Sequence, residues 1–148
     1  MKKVIKLFFA AVLGAALLGA CKPTLSPSEI AESDYYAKIT LTINVTCVVP
    51  EMGEDPIPVS QCPISVTRGD GNTYEFKCDR SGKLVHTFPV NKPADKDATL
   101  GDSYTIKVDY DTENDSIGHL VATKSEYVTI NKGEKHAEKT IDIKCTKK

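Results

Sequence analysis

Few residues of this 148-residue chain have types and spacing suited to chemistry: five cysteines, three histidines and one alternating run of carboxylates. Asp109, Asp111, Glu113 and Asp115 occupy every second position of that run. Hard oxygen ligands so spaced could hold Ca²⁺, with Asp109, Asp111 and Asp115 as the candidates. Counted from Asp109, however, the position that needs glycine for a sharp turn is Asn114, and the position that needs a bidentate Glu is Leu120. The run therefore reads as a solvated acidic loop, and no metal or cofactor is expected. His86, His119 and His136 fall on separate segments, and no Gly-x-Ser-x-Gly elbow offers a nucleophilic serine. No catalytic residue is expected, and the chain is not read as an enzyme. Arg68-Gly69-Asp70 spells an adhesive tripeptide, yet glycine and Asp are also what a tight turn requires. With no tryptophan, sugar stacking would fall to Tyr35, Tyr36, Tyr110 or Tyr127, and Tyr110 and Tyr127 are the binding candidates retained.

The first cysteine stands in a different context. Lys2, Lys3 and Lys6 lead into twelve apolar or small residues, Leu7 to Leu18. Twelve helical residues rise ~18 Å, too short for a ~30 Å hydrocarbon core, so the run is a signal-peptide core and not a span. It ends in Leu18-Gly19-Ala20-Cys21, which resembles the lipobox of bacterial lipoproteins. The resemblance implies cleavage before Cys21 and a thioether from its sulfur to diacylglycerol. Each buried acyl CH₂ contributes ~0.8 kcal/mol, so two or three chains would anchor the protein almost permanently. Cleavage takes three of the 19 basic side chains with residues 1–20 and leaves 16 against 20 acidic ones, net −4. That balance offers no polybasic patch to lipid headgroups and no basic surface to nucleic acid. An Asp after Cys21 would resemble the inner-membrane retention signal of enteric lipoproteins, and Lys22 stands there instead, so the resemblance implies the outer membrane of the bacterial cell envelope. The acidic cluster that marks surface export in lipoproteins of gut Bacteroidetes does not follow either, so of the periplasmic and surface faces the resemblance favours the periplasmic one.

Those residues must be carried by strands. Residues 21–34 hold prolines and serines and read as a lipidated tether, and residues 35–148 as one domain. From Lys38 to Val49 odd positions are apolar and even ones mostly polar, the period of a half-buried strand. Pro50, Pro56 and Pro58 break the ladder into a long loop. Cys62–Thr67 and Thr73–Cys78 flank a glycine-rich turn, and Asp79-Arg80-Ser81-Gly82 turns into a strand over Lys83–Phe88. Residues 89–103 read as loop. Tyr104, Ile106, Val108 and Tyr110 alternate with polar residues as a one-sided strand. His119–Thr123 is a weaker strand, and Tyr127–Ile130 with His136–Cys145 make a closing hairpin. Seven or eight short strands with no helical period between them predict a single antiparallel β-sandwich.

The order of these pieces also resembles a family. A strand rich in Ile, Thr and Val comes first, then Pro63-Ile64-Ser65-Val66-Thr67, Cys78-Asp79-Arg80-Ser81-Gly82-Lys83-Leu84, Asp102-Ser103-Tyr104-Thr105-Ile106-Lys107-Val108 and Val128-Thr129-Ile130-Asn131-Lys132-Gly133-Glu134. This is similar to the transthyretin-like (Ig-like) sandwiches, such as the regulatory domain of carboxypeptidases and the B-type repeats of collagen-binding adhesins. Those carry a Thr-Asp-x-x-Gly turn, and here Cys78 stands where the Thr usually is. The resemblance implies a fold and not an activity. Adhesin repeats with a Lys–Asn isopeptide need an Asn in the last strand, and Lys135–Cys145 has none. Transthyretin-like hydrolases end in Tyr-Arg-Gly-Ser, whereas this chain ends in Lys147-Lys148.

With Cys21 lipidated, Cys47, Cys62, Cys78 and Cys145 remain for disulfides, with three possible connectivities. A hairpin centred on Asp70 sets Cys62 opposite Cys78, at the ~4.5–5.5 Å between Cβ atoms that a bridge nearly tolerates. Elimination then pairs Cys47 with Cys145, on strands that are neighbours in this fold class. The expected function is that of an envelope-anchored, non-catalytic lipoprotein. Its module would present loops 50–60, 89–103 and 111–117 to a protein partner. A glycan-binding accessory of a polysaccharide-uptake system is the alternative.

Overall fold

The computed structural model describes residues 36–93 and 96–148. The expected signal peptide, the expected lipidation at Cys21 and the expected tether lie outside the described residues. Eight strands follow one another: β1 (Tyr36–Cys47), β2 (Ile57–Pro58), β3 (Pro63–Arg68), β4 (Thr73–Lys77), β5 (Lys83–Pro93), β6 (Leu100–Asp111), β7 (His119–Ile130) and β8 (His136–Lys147). A 3₁₀ turn at Pro50–Met52 is the one helical piece among the described residues.

The alternation read from the sequence explains why these segments are strands. In β1 every odd residue from Ala37 to Cys47 is buried, while the even ones are partly covered. Successive side chains of a strand point to opposite faces, so a period of two puts one whole set into the core. β6 does the same with Tyr104, Ile106 and Val108, and β3 with Ile64, Val66 and Arg68. Burying twenty-odd such side chains at roughly 1.5–3 kcal/mol each is what offsets the entropy of ordering the chain.

The strands form one curled sheet in the order β2-β1-β8-β7-β6-β3-β4, with β5 beside β1. The chain is all-β, as expected, but not wholly antiparallel. β1 and β8 run parallel from Lys38↔His136 to Cys47↔Cys145, so the sheet is mixed. First and last strands are neighbours, but their relative direction depends on where the chain leaves β7, which no local pattern records.

Three further expectations are corrected. Residues 89–103 are mostly strand, because β5 runs on through Pro93 and β6 already starts at Leu100. Pro89 and Pro93 are tolerated because β5 lies at the sheet's edge, where a missing N–H breaks no ladder. The segments His119–Thr123 and Tyr127–Ile130 are one strand, paired with β6 from Leu100↔Ile130 to Asp111↔His119. The inward parity of β7 carries Lys124 and Glu126 between Leu120 and Val128, which is why the apolar pattern looks broken. Finally, β7 and β8 meet in a ladder only at Leu120↔Lys147 and Val121↔Thr146. Nearer their turn they part, β7 to β6 and β8 to β1. Lys124 and Glu126 fill the opening: the Lys124 ammonium donates to the Asp142 carbonyl at 3.2 Å, and Glu126 lies 3.6 Å from Lys124 and 3.9 Å from Lys139.

The curl brings β4 and β5 together through side chains. Tyr74 and Phe76 of β4 meet His86 and Phe88 of β5, with Phe76–His86 centroids 4.6 Å apart and Tyr74–Phe88 5.5 Å apart. Phe88 also faces Tyr104 of β6 at 5.3 Å.

Candidate functional site

The four described cysteines gather at one end of the core. β1 and β8 end side by side and make Cys47 and Cys145 register partners. The β3–β4 hairpin pairs Ile64 with Phe76 and Val66 with Tyr74, the register read from the sequence, and the Cys78 amide donates to the Cys62 carbonyl at 2.9 Å. All four are buried and all four are free thiols in the structure, so neither expected bridge is formed in it. The sulfurs are close enough to influence one another electrostatically. Burial first, and then the charges of Cys78, Cys145 and Cys47, push the Cys62 thiol up to about 12. Cys78 and Cys145 are pushed up to about 11, again chiefly by burial. A buried thiol needs no partner, since it behaves as a small apolar side chain with a weak donor.

The turn that closes this end is held by polar atoms. Asp79 accepts from the Ser81 amide at 2.8 Å, the Ser81 hydroxyl at 2.7 Å and the Lys83 amide at 2.9 Å. The Ser81 hydroxyl and the Lys83 amide are the main reasons its carboxyl titrates below the usual range. Gly82 sits at φ +71°, and a Cβ there would lie 2.6 Å from the Val45 carbonyl, so only glycine lets the turn dock on β1.

At the opposite end of β3 is a group that sequence reasoning missed. Arg68 is 6% exposed. Its Nε donates to Asp102 at 2.8 Å, and one terminal nitrogen lies 2.6 Å from the same carboxylate oxygen and donates to the Pro89 carbonyl at 2.7 Å. The other Asp102 oxygen accepts from the Ser103 amide at 2.9 Å and the Gly69 amide at 3.3 Å. The Phe88 ring lies beneath the guanidinium, 5.8 Å away. Arg68 shares the parity of Ile64 and Val66, and Asp102 that of Tyr104 and Ile106. A charged residue on an apolar parity in each of two strands was the available signal. The Arg-Gly-Asp tripeptide is thus turn chemistry: its arginine is committed to the interior, and Asp70 accepts from the Asn72 amide at 2.9 Å.

Two of the three acidic candidates meet on one histidine. Asp111 is the register partner of His119 across β6–β7. Its carboxylate lies 2.5 Å from His119 Nδ1, while Asp109 lies 3.0 Å from Nε2. Both carboxylates are thus taken up by the one imidazole of His119. Asp115 is exposed in the turn between β6 and β7. Among the described residues, no group of three His, Cys, Asp or Glu side chains is placed to hold a metal. His86 packs between Phe76 and Phe88, and its burial lowers its pKa. A shallow depression of about 120 Å³ lies against Ser65, Glu75, Lys107 and Asp109, well below the ~300 Å³ at which small-molecule sites begin.

The two candidate tyrosines lie on opposite faces. Tyr110 follows the inward parity of Tyr104 and Val108 and is partly buried. Tyr127 faces outward opposite Ser103, is 64% exposed, and lies over Gly101, where a Cβ would meet its hydroxyl at 2.6 Å. They cannot form one stacking platform. Beside Tyr127 runs a row of hydroxyls across four strands, Thr73–Thr67 bonded at 2.8 Å and Thr105–Ser125 at 2.9 Å, with Thr67 and Thr105 as register partners. No described helix is long and apolar enough to cross a membrane. The chain matches no family model, and no curated protein or solved structure is significantly similar to it.

Proposed function

We propose that the protein is a non-catalytic lipoprotein of the bacterial cell envelope, whose strands stack as a transthyretin-like sandwich and present their connecting loops to a protein partner. The observation that carries this reading is Cys21 in Leu18-Gly19-Ala20-Cys21, preceded by a twelve-residue apolar run and three lysines. A lipid on Cys21 leaves the domain itself no need to touch the bilayer. The layering is supported by Phe88 of β5 facing Tyr104 of β6 across the core. Of the connections, 48–56 and 112–118 are mainly exposed, with Met52 64% exposed in the first. A polar loop with one bare methionine suits a protein surface better than a buried ligand. Glycan binding is the second reading, favoured by the exposed Tyr127 beside the Thr73–Thr67–Thr105–Ser125 row.

Two experiments address the two readings. Cys21→Ser, expressed in a Gram-negative host, is expected to move the protein from the membrane fraction to the soluble one and to abolish labelling by a palmitate analogue. Retention on membranes would remove the anchor. A glycan array with the soluble domain, alongside Tyr127→Ala, is expected to show no Tyr127-dependent signal. A signal lost in that variant would make glycan binding the function.

A further inference from the structure

The four thiols at the β1/β8 end hold more than a list of possible staples. Each comes from a different part of the chain: Cys47 from the end of β1, Cys62 from the loop before β3, Cys78 from just past the end of β4 and Cys145 from near the end of β8. Cys47 stands beside Cys145 across a ladder, and Cys62 beside Cys78 across a hairpin. Adjacent strands lie ~4.8 Å apart, within the 4.4–6.8 Å between Cα atoms that a disulfide spans. All four are nevertheless closed off, with exposures of 1%, 0%, 4% and 6% for Cys47, Cys62, Cys78 and Cys145. A disulfide forms by attack of an accessible thiolate, so the same packing that places the partners together shields them from any oxidant.

We propose that Cys47, Cys62, Cys78 and Cys145 are a folding-coupled oxidation site: the chain takes up two disulfides, Cys62–Cys78 and Cys47–Cys145, from a small-molecule disulfide while it is still open, and closes to thiol exchange once its core has packed. The chemistry is two rounds of exchange with glutathione disulfide. One cysteine thiolate attacks an oxidant sulfur, giving a mixed disulfide and releasing one glutathione thiolate. The second cysteine thiolate then displaces the other glutathione. Two electrons per bridge pass from protein sulfur to the oxidant, and the two cysteine protons end on the two glutathiones released. The raised thiol pKa values act in the same direction, since they deplete the folded protein of thiolate. The oxidation history of the chain is thereby recorded when it folds and is held afterwards. This inference does not depend on the lipid anchor.

The test uses residues 21–148 with Cys21 replaced by Ser, so that only the four core thiols count. In one arm the folded, reduced protein is incubated with glutathione disulfide near neutral pH. In the other it is unfolded in urea and refolded with the same oxidant. The folded arm is expected to oxidise at least ~10-fold more slowly than the open chain, because its four thiols are closed off from the oxidant. The refolded arm is expected to lose all four titratable thiols and to yield, on peptide mapping, Cys62–Cys78 and Cys47–Cys145. Rapid oxidation of the folded protein overturns the proposal, as does any other connectivity or the survival of free thiols after refolding. Cys47→Ser/Cys145→Ser, which leaves the hairpin pair, is expected to give Cys62–Cys78 alone. Failure of that bridge to form also overturns it.

Discussion

The inward row of β3 can be compared end against end. Cys62 lies just before the strand and Arg68 is its last residue, on the same parity as Ile64 and Val66 between them. Both ends are buried, but they are closed by opposite means. The thiol end collects four groups that tolerate an apolar setting, with Cys62 donating to the adjacent Pro63 carbonyl at 3.4 Å. The guanidinium end cannot do so, and recruits Asp102 from β6 and the Pro89 carbonyl from β5. The lesson is that one alternating pattern can place either kind of residue inside, and the cost then depends on partners brought by distant strands. At the Arg68 end stability hangs on geometry. At the thiol end it hangs on covalent state, which the fold leaves open.

The contrast can be broken most forcefully at the ion pair. Asp102→Ala leaves the buried Arg68 with the Asp70 carboxylate at 3.9 Å as its remaining counter-charge, and is expected to cost about 3 kcal/mol in urea unfolding. Arg68→Met/Asp102→Leu, which removes both charges, should recover most of that loss. A loss under about 1 kcal/mol in the single variant would mean that Arg68 reaches water instead. The next effect sharpens the thiol end. In the reduced protein, burial raises Cys62, Cys78 and Cys145 above their usual 9.0. The unfolded chain gives up these protons above about pH 9 while the folded one keeps them, so stability is full below that pH and falls as pH rises toward 11–12. Denaturation midpoints of the reduced protein at about pH 8 and about pH 10 should differ, and less so in Cys62→Ala. Equal midpoints would show that the thiols ionise freely. The smallest effect belongs to Tyr104, beside the ion pair. Its hydroxyl is buried with no hydrogen-bond partner among the described residues, and burial followed by the Asp102 charge raises its pKa. Tyr104→Phe should be neutral or stabilising by up to about 1 kcal/mol in the same assay, and a clear loss would reveal a partner for the hydroxyl.

Much of the local structure was legible in the alternation. The inward rows of β1, β3 and β6 can be read residue by residue, and the Ile64↔Phe76 register follows from where the Gly69–Gly71 turn must lie. Other features were hidden for definite reasons. β7 looked like two pieces because Lys124 and Glu126 occupy its inward parity, where β7 and β8 part. Residues 89–103 looked like loop because Pro and Asp are poor strand formers, but an edge position removes the objection to proline. Arg68 looked like a turn residue because its neighbours Gly69 and Asp70 are.

By itself, then, the sequence determined that the chain is all-β and which side chains of its main strands point inward. These follow from short-range rules: a period of two and turn chemistry. The tertiary structure decided that β1 and β8 run parallel, that Arg68 meets Asp102, and that four thiols from four segments share one end of the core. Each of these joins residues far apart in the chain. Strand order and direction settle such contacts, and side-chain alternation carries no information about either.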